Sequence, residues 1–349
     1  MIPTVDRLTS FMNINSDSNR TDTILNSIYK STLLDPIDEF LSRSKKGFRY
    51  ELIQLAQEIT LDYLNLEPPP VGNKTIQLMN DVIELLHSGS LIVDDIEDQS
   101  KMRRGQKTLH EIYGVPIALN AGNWLYFWPL VLLQNSKLPE NIKNQAISEC
   151  HHTLLMAHTG QALDLGTPLH QLEQNQVTEL VLKTIELKSG ALASLATKLG
   201  TLSAFANIEN FDLNGLQQKN IFNLMGLFGS HFGQLLQYLD DIGNLTSLSN
   251  PQKKYEDLKL MRPSFLWAVI AQTLQPKDYN DFIKKISLSK ESEVLDELVV
   301  KLNLNELALN YAIKYKEIWY QDFLKKMPSL SKPLKLKIHE LLERLTHAY

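Results

Sequence analysis

Leu91-Ile92-Val93-Asp94-Asp95-Ile96-Glu97-Asp98, followed after a short gap by Arg103-Arg104-Gly105, closes an apolar pattern that begins at Met79 and runs through Val82, Ile83, Leu85 and Leu86. The spacing of the apolar positions is helical. A helix stacks Asp94 and Asp98 on one face, one turn apart. Like charges at that spacing repel, and beside a buried stripe they are poorly hydrated. Such a pair calls for a cation. Magnesium suits it: a hard ion that seeks oxygen and is commonly held by one or two carboxylates plus substrate phosphates. Taken alone, the pair also reads as a solvated acidic face at a helix end.

Outward from this stretch, helical periodicity dominates and strand alternation is almost absent. Fifteen glycines and fourteen prolines in 349 residues are below average usage, as suits long helices joined by short loops. The pattern predicts helices at 21–43, 48–64, 74–98, 115–134, 139–166, 174–204, 214–244, 263–274, 290–302, 304–325 and 333–347. Breaks are expected at Pro68-Pro69-Pro70, at 136–139 and at 247–251. With no composition shift and no repeat, 21–349 reads as one helical domain after a loosely ordered polar segment at 1–20.

An apolar content of 43% and a charged content of 21% describe an ordinary globular chain. The net charge of −5 gives no reason to expect nucleic acid as a partner. The one cysteine, Cys150, excludes internal disulfides and suits a cytoplasmic setting. Residues 1–13 lack a basic region followed by an apolar run, so no signal peptide is expected. The most apolar stretch, 124–133, is too short to span a bilayer and contains Pro129, which suggests a buried helix with a kink or break.

A second apolar helix also ends in aspartates: Gln237-Tyr238-Leu239-Asp240-Asp241-Ile242-Gly243-Asn244. Two such helices suggest one shared site, a concentration of carboxylates that needs divalent cations and a polyanion. Basic residues occur near both clusters: Lys45, Lys46, Arg49, Arg103, Arg104, Lys188, Lys253, Lys254 and Arg262. Arginine forks match phosphate oxygens, and lysines act as point charges. Carboxylates for metal with basic groups for phosphate point to a diphosphate substrate. No Gly-x4-Gly-Lys-Ser/Thr loop is present, which argues against a nucleotide hydrolase.

The ordered set resembles the trans-isoprenyl diphosphate synthases, the polyprenyl synthetase family of farnesyl and geranylgeranyl diphosphate synthases. It consists of Leu85-Leu86-His87, Asp94 to Asp98, Arg103-Arg104-Gly105 with His110 and Tyr113-Gly114, Gly160-Gln161 with Asp164, Lys188-Ser189-Gly190, and Gln237 with Asp240-Asp241. The resemblance implies an all-α, isoprenoid-synthase-type bundle around a deep central cavity, three Mg2+ ions per site, and a homodimer. It implies that Asp94 and Asp98 ligate two ions on the allylic diphosphate, with Asp95 supporting them from behind. Asp240 would ligate a third, with Asp241 and Asn244 holding its waters. Arg103, Lys188, Lys253 and Arg262 match positions that grip the allylic diphosphate. Lys46, Arg49, His87 and Arg104 match those that hold isopentenyl diphosphate. Gln237 and Ser189 would face the developing charge.

Three departures from the family pattern stand out: Asn244 where many members have aspartate, Lys45-Lys46-Gly47 in place of Gly-Lys-Arg, and Met261-Arg262 in place of glycine-lysine. In this family bulky residues four and five positions before the first motif stop chain growth. Here these are Ser90 and Gly89, both small, so the tunnel should extend past fifteen carbons. Trp124, Tyr126, Phe127 and Trp128 offer a floor, and a twenty-carbon product is the expectation. A class I terpene cyclase and an inactive regulatory subunit remain alternatives. The first usually carries an Asn-x3-Ser-x3-Glu motif that Asn244 does not begin. The second typically loses one acidic cluster.

Overall fold

A computed structural model describes residues 20–43, 47–69, 74–166, 169–206, 208, 215–245, 254–288 and 292–347. The segment expected to be loose at 1–20 lies outside these residues apart from Arg20, where the first helix begins. The predicted helices appear with ends shifted by a residue or two. α1 (Arg20–Tyr29) passes through a π-turn at Lys30–Leu34 into α2 (Asp35–Ser42). Then come α3 (Phe48–Leu64) and α4 (Thr75–Glu97). A two-stranded ribbon, β1 (Met102–Arg103) and β2 (Gln106–Lys107), leads to α5 (Leu109–Tyr113), α6 (Val115–Gln134) and α7 (Glu140–Gly166). α8 (Gln174–Ile185) joins α9 (Ala191–Phe205) through a second π-turn at Glu186–Gly190. α10 (Leu216–Gly243), α11 (Glu256–Leu260), α12 (Phe265–Thr273), α13 (Pro276–Leu288), α14 (Ser292–Leu302), α15 (Leu304–Lys326) and α16 (Lys332–His347) complete the order. Among the described residues no helix is long and apolar enough to cross a membrane.

The ribbon, α5, α11 and α13 were not foreseen. The first three are too short to show a period. α13 does bury Tyr279, Phe282 and Ile286 at helical spacing, a signal diluted by Lys277, Asp278, Asn280, Asp281 and Lys284. Pro129 does not interrupt α6, which runs unbroken through it.

The chain divides into two compact units, Met1–Ile53 with Pro70–Cys150 and Gln54–Pro69 with His151–Tyr349. Of the three division points, two fall inside helices, in α3 and in α7, and the third falls between Pro69 and Pro70. In the first unit α4 and α6 pack antiparallel. Their core joins Leu85 and Ile92 to Ala118, Ala121, Leu125 and Trp128, with Ile37 and Phe40 of α2 beneath. Gly89 permits the close crossing: a Cβ there would lie 2.8 Å from the Gly122 carbonyl oxygen and 3.0 Å from the Leu125 Cβ. At the far end of the pair, about 28 Å along α4 from Asp94, a hollow of about 620 Å³ is lined by Thr75, Leu78, Trp128 and Val131 among others.

In the second unit α10 lies against α9. A Cβ at Gly233 would overlap the Ser189 carbonyl oxygen, and one at Gly229 would overlap Thr197 and the Ala193 carbonyl. This contact sets the next turn of α10, with Gln237, beside the π-turn. α12 is buried along nearly its whole length. Its last carbonyls are satisfied by Gln174, whose Nε2 donates to Ala271 and Leu274 at 2.7 Å each.

Candidate functional site

In the first unit the final turn of α4 carries Asp94, Asp95 and Asp98. Asp98 caps the helix, its N–H donating to the Asp94 carbonyl at 2.9 Å. Asp95 is 1% exposed. Arg103 covers it: Nε donates to both Asp95 oxygens at 2.7 Å, and Nη2 donates to Asp94 Oδ2 at 3.3 Å. Burial lifts the Asp95 carboxyl above the usual carboxylate range, against the pull of the Arg103 guanidinium. Arg103, matched to an allylic-diphosphate position, is thus already paired with the acidic motif. Any anion bound by Arg103 would compete with Asp95 for the guanidinium.

The ribbon explains the Arg-Arg-Gly signature. Arg103 pairs with Gln106 across it, and the two central turn residues, Arg104 and Gly105, have φ of 54° and 76°. Two successive positive φ angles make the turn that best matches the twist of a hairpin, and glycine takes one of them without strain. Arg104 is thereby held at the tip. Burial, together with the cations Arg49, Arg103 and Arg43, keeps its pKa below the usual arginine value. Arg49 at the start of α3 donates from Nε to Glu84 of α4 at 2.5 Å. His87 lies one turn further along α4 and is half-buried. Arg49 and Arg104, two of the residues matched to isopentenyl diphosphate, therefore feel each other's charge. Lys46 lies outside the described residues.

One of the residues expected to set chain length needs a correction. Gly89 does not open a wall, because the α6 backbone fills the space its side chain would occupy. Phe127 is 68% exposed on the single chain. α6 puts Tyr126 and Phe127 on different faces, a split that adjacency in sequence conceals. Tyr126 is half-buried, and burial with the charges of Glu97 and Asp94 pushes its hydroxyl well above the ordinary tyrosine range. Trp124 stacks on Trp128 at 5.0 Å. Ser90 is half-buried, its hydroxyl turned back onto the His87 carbonyl at 2.9 Å.

In the second unit the end of α10 carries Gln237, Asp240 and Asp241, with Asn244 as the cap. Asp241 is 3% exposed. Its Oδ1 accepts from Gln237 Nε2 at 2.8 Å and its Oδ2 from the Phe265 backbone N–H at 2.7 Å. Gln237 Oε1 in turn accepts from the Ser189 hydroxyl at 2.7 Å. Burial pushes the Asp241 carboxyl well above the usual range and the charges of Asp257 and Asp240 push it further, against its two N–H bonds. Asp241 is expected to hold metal-bound water; each of its oxygens accepts one internal bond and keeps a further lone pair. Ser189 and Lys188 sit in the π-turn, a distortion often found at functional sites. The Lys188 ammonium is paired with Asp164 of α7.

Sequence reading missed Asp257. It accepts from Asn244 Nδ2 at 3.4 Å through its carboxylate and from the Arg262 N–H at 3.1 Å through its carbonyl. A lone aspartate in a polar stretch gives no pattern that would single it out. Arg262 follows the left-handed Met261, whose φ is 54°. Lys253 lies outside the described residues.

Among the described residues no three His, Cys, Asp or Glu side chains form a ready-made metal cage. The carboxylates come in pairs at helix ends. That donor set fits magnesium, which takes its remaining ligands from phosphate and water, better than an ion needing an all-protein shell.

The polyprenyl synthetase family model matches residues 30–302. A geranylgeranyl pyrophosphate synthase of Dictyostelium discoideum is 28% identical over 318 residues, covering 89% of this chain and 93% of that protein. Ophiobolin F synthase oblA of Aspergillus clavatus is 29% identical over 257 residues, 71% of this chain but 31% of its own length. A crystal structure of a geranylgeranyl pyrophosphate synthase aligns with a TM-score of 0.70 at 17% identity, over 94% of this chain and 97% of that one. The all-α fold expected from the sequence is the fold of that structure.

Proposed function

Because the chain belongs to the polyprenyl synthetase family, we propose that it adds isopentenyl diphosphate head to tail to an allylic diphosphate and yields geranylgeranyl diphosphate. The observation that carries this reading is the Asp94/Asp98 pair, one turn apart beside the Arg103-Arg104-Gly105 turn. The allylic carbon–oxygen bond breaks and its electron pair leaves with diphosphate. The isopentenyl double bond attacks the resulting allyl cation, and a proton is then lost to the departed diphosphate. Asp94 and Asp98 would hold magnesium, with Asp240 holding a third ion, and the bound metal would supply charge that stabilises the leaving group.

The chain's own groups do the rest. Arg103 and Lys188 exchange their carboxylate partners for diphosphate oxygens, with Lys253 and Arg262 assigned to the same group. Arg49, Arg104, His87 and Lys46 bind isopentenyl diphosphate. Gln237, fixed by Asp241 and Ser189, presents its dipole to the developing charge. Apolar walls keep water from the cation.

Small Ser90 and half-buried Tyr126, together with the relative named as a geranylgeranyl pyrophosphate synthase, support a twenty-carbon product. The exposed row Val115, Leu119 and Phe127 on α6 supports a homodimer, and free, buried Cys150 supports a cytosolic location. Chromatography of dephosphorylated products tests the chain length. Geranylgeraniol is expected, with longer alcohols from Tyr126→Ala. A fifteen-carbon product, or an unchanged profile in the variant, would reject the length or the floor respectively.

A further inference from the structure

Arg43 lies outside every motif of the basic cluster, at the C-terminal end of α2 and just before the segment that leads to Arg49. A lone arginine there ought to be a solvated surface charge. Instead its side chain is 2% exposed. Nε and Nη2 donate to Glu39 Oε1 at 3.2 and 2.9 Å, and Nη2 also donates to Glu39 Oε2 at 2.8 Å. The same Nη2 crosses to the ribbon and donates to the Lys107 carbonyl at 2.8 Å. The guanidinium carbon lies 5.2 Å from the centre of the Phe40 ring. Among the described residues Nη1 is buried without an acceptor.

Burying a guanidinium and leaving one of its donors unpaired is costly. A structural tie alone could be made by a neutral amide. The charge disfavours the ionisation of Arg104, along with Arg49 and Arg103, while the position comes from the bond to the ribbon. The tie also has a definite target. Lys107 pairs with Met102 at the base of the hairpin whose tip is Arg104-Gly105. Arg103, on the same hairpin, has its own anchors on Asp95 and Asp94. The tie to the Lys107 carbonyl therefore acts on the ribbon whose turn carries Arg104.

We propose that Arg43 is a positioning residue for isopentenyl diphosphate: it ties β2 to the end of α2 and so holds Arg104 in register with Arg49. This rests on the reading above that Arg49 and Arg104 bind that substrate. A lysine could reach Glu39 or the Lys107 carbonyl but has no fork to bridge both.

Steady-state kinetics with both substrates varied provide the test, on the full-length enzyme with Arg43→Met, Arg43→Lys and, as control, Arg104→Met. Arg43→Met raises KM for isopentenyl diphosphate on the order of tenfold. It leaves KM for the allylic substrate and kcat at saturation near the parent values, and Arg43→Lys recovers part of the loss. A flat KM in Arg43→Met with a raised KM in Arg104→Met overturns the role of Arg43. A flat KM in both overturns the reading of the ribbon. If Arg43→Met does not fold, Arg43→Lys decides. A raised KM for isopentenyl diphosphate alone supports positioning, and an equal loss in every parameter, tracking the folded fraction, rejects it.

Discussion

At the first acidic pole the buried carboxylate is Asp95, and a guanidinium covers both of its oxygens. At the second it is Asp241, and the bonds to its oxygens come from neutral N–H groups of Gln237 and Phe265. Both carboxylates close an apolar helix, both are almost wholly buried, and each stands beside a more exposed aspartate assigned to metal. The difference lies in how burial is offset. The Arg103 ion pair offsets part of the rise that burial causes at Asp95, whereas Asp241 relies on neutral donors and is pushed well above the usual carboxylate range. The first pole therefore carries a cation that substrate can recruit. The second is a relay of dipoles, Ser189 to Gln237 to Asp241, which orients an amide.

Removing the assigned metal carboxylates should affect both poles alike. Asp98→Ala and Asp240→Ala should each lower kcat on the order of 10³-fold with little change in thermal midpoint, since metal charge stabilisation is worth several kcal/mol. A large loss at one pole only would break the symmetry.

Stability should then separate the poles. Arg103→Met leaves Asp95 buried without its cation and should cost about 3 kcal/mol in urea unfolding, most of it recovered by adding Asp95→Leu. Gln237→Met removes a neutral donor from Asp241 and should cost about 1–2 kcal/mol. Equal losses would erase the distinction.

Helix approach comes next. Gly233→Ala forces a Cβ onto the Ser189 carbonyl and should cost about 2 kcal/mol, while disturbing Gln237 and hence kcat. The Gly89 contact, 2.8 Å from a carbonyl, should respond more mildly to alanine.

The smallest effect is that of His231, on the same helix as the second pole. It is stacked on Trp319 and bonded through Nδ1 to the Tyr315 hydroxyl at 2.6 Å. Burial lowers its pKa below 6.5. A histidine whose folded value is depressed contributes stability that is present above the unfolded value and lost as pH falls through the window beneath it. The thermal midpoint should fall below about pH 6.5, and His231→Gln should flatten that part of the profile. An identical slope in the variant would assign the loss to other groups.

The long helices and both acidic motifs were legible in the sequence because period and like-charge stacking are local signals. Partnerships across elements were not. That Arg103 lies on Asp95, Lys188 on Asp164 and Asp241 on the Phe265 N–H depends on contacts between elements, 8 to 24 residues apart, that no helical period predicts. Gly89 looked like open space, since a small residue reads the same whether it faces a tunnel or a neighbouring backbone. Tyr126 and Phe127 looked like a pair because adjacency hides the 100° rotation between successive helical side chains. Arg43 carried no signal, since a basic residue after a helix is ordinarily solvated.

The most direct test of the central claim is to supply labelled isopentenyl diphosphate with farnesyl diphosphate, with Mg2+ or with excess chelator. With magnesium, label should enter a twenty-carbon diphosphate in step with pyrophosphate release, and chelator should abolish both. Pyrophosphate released without incorporation of label, or no turnover under any condition, would contradict prenyl transfer by this chain.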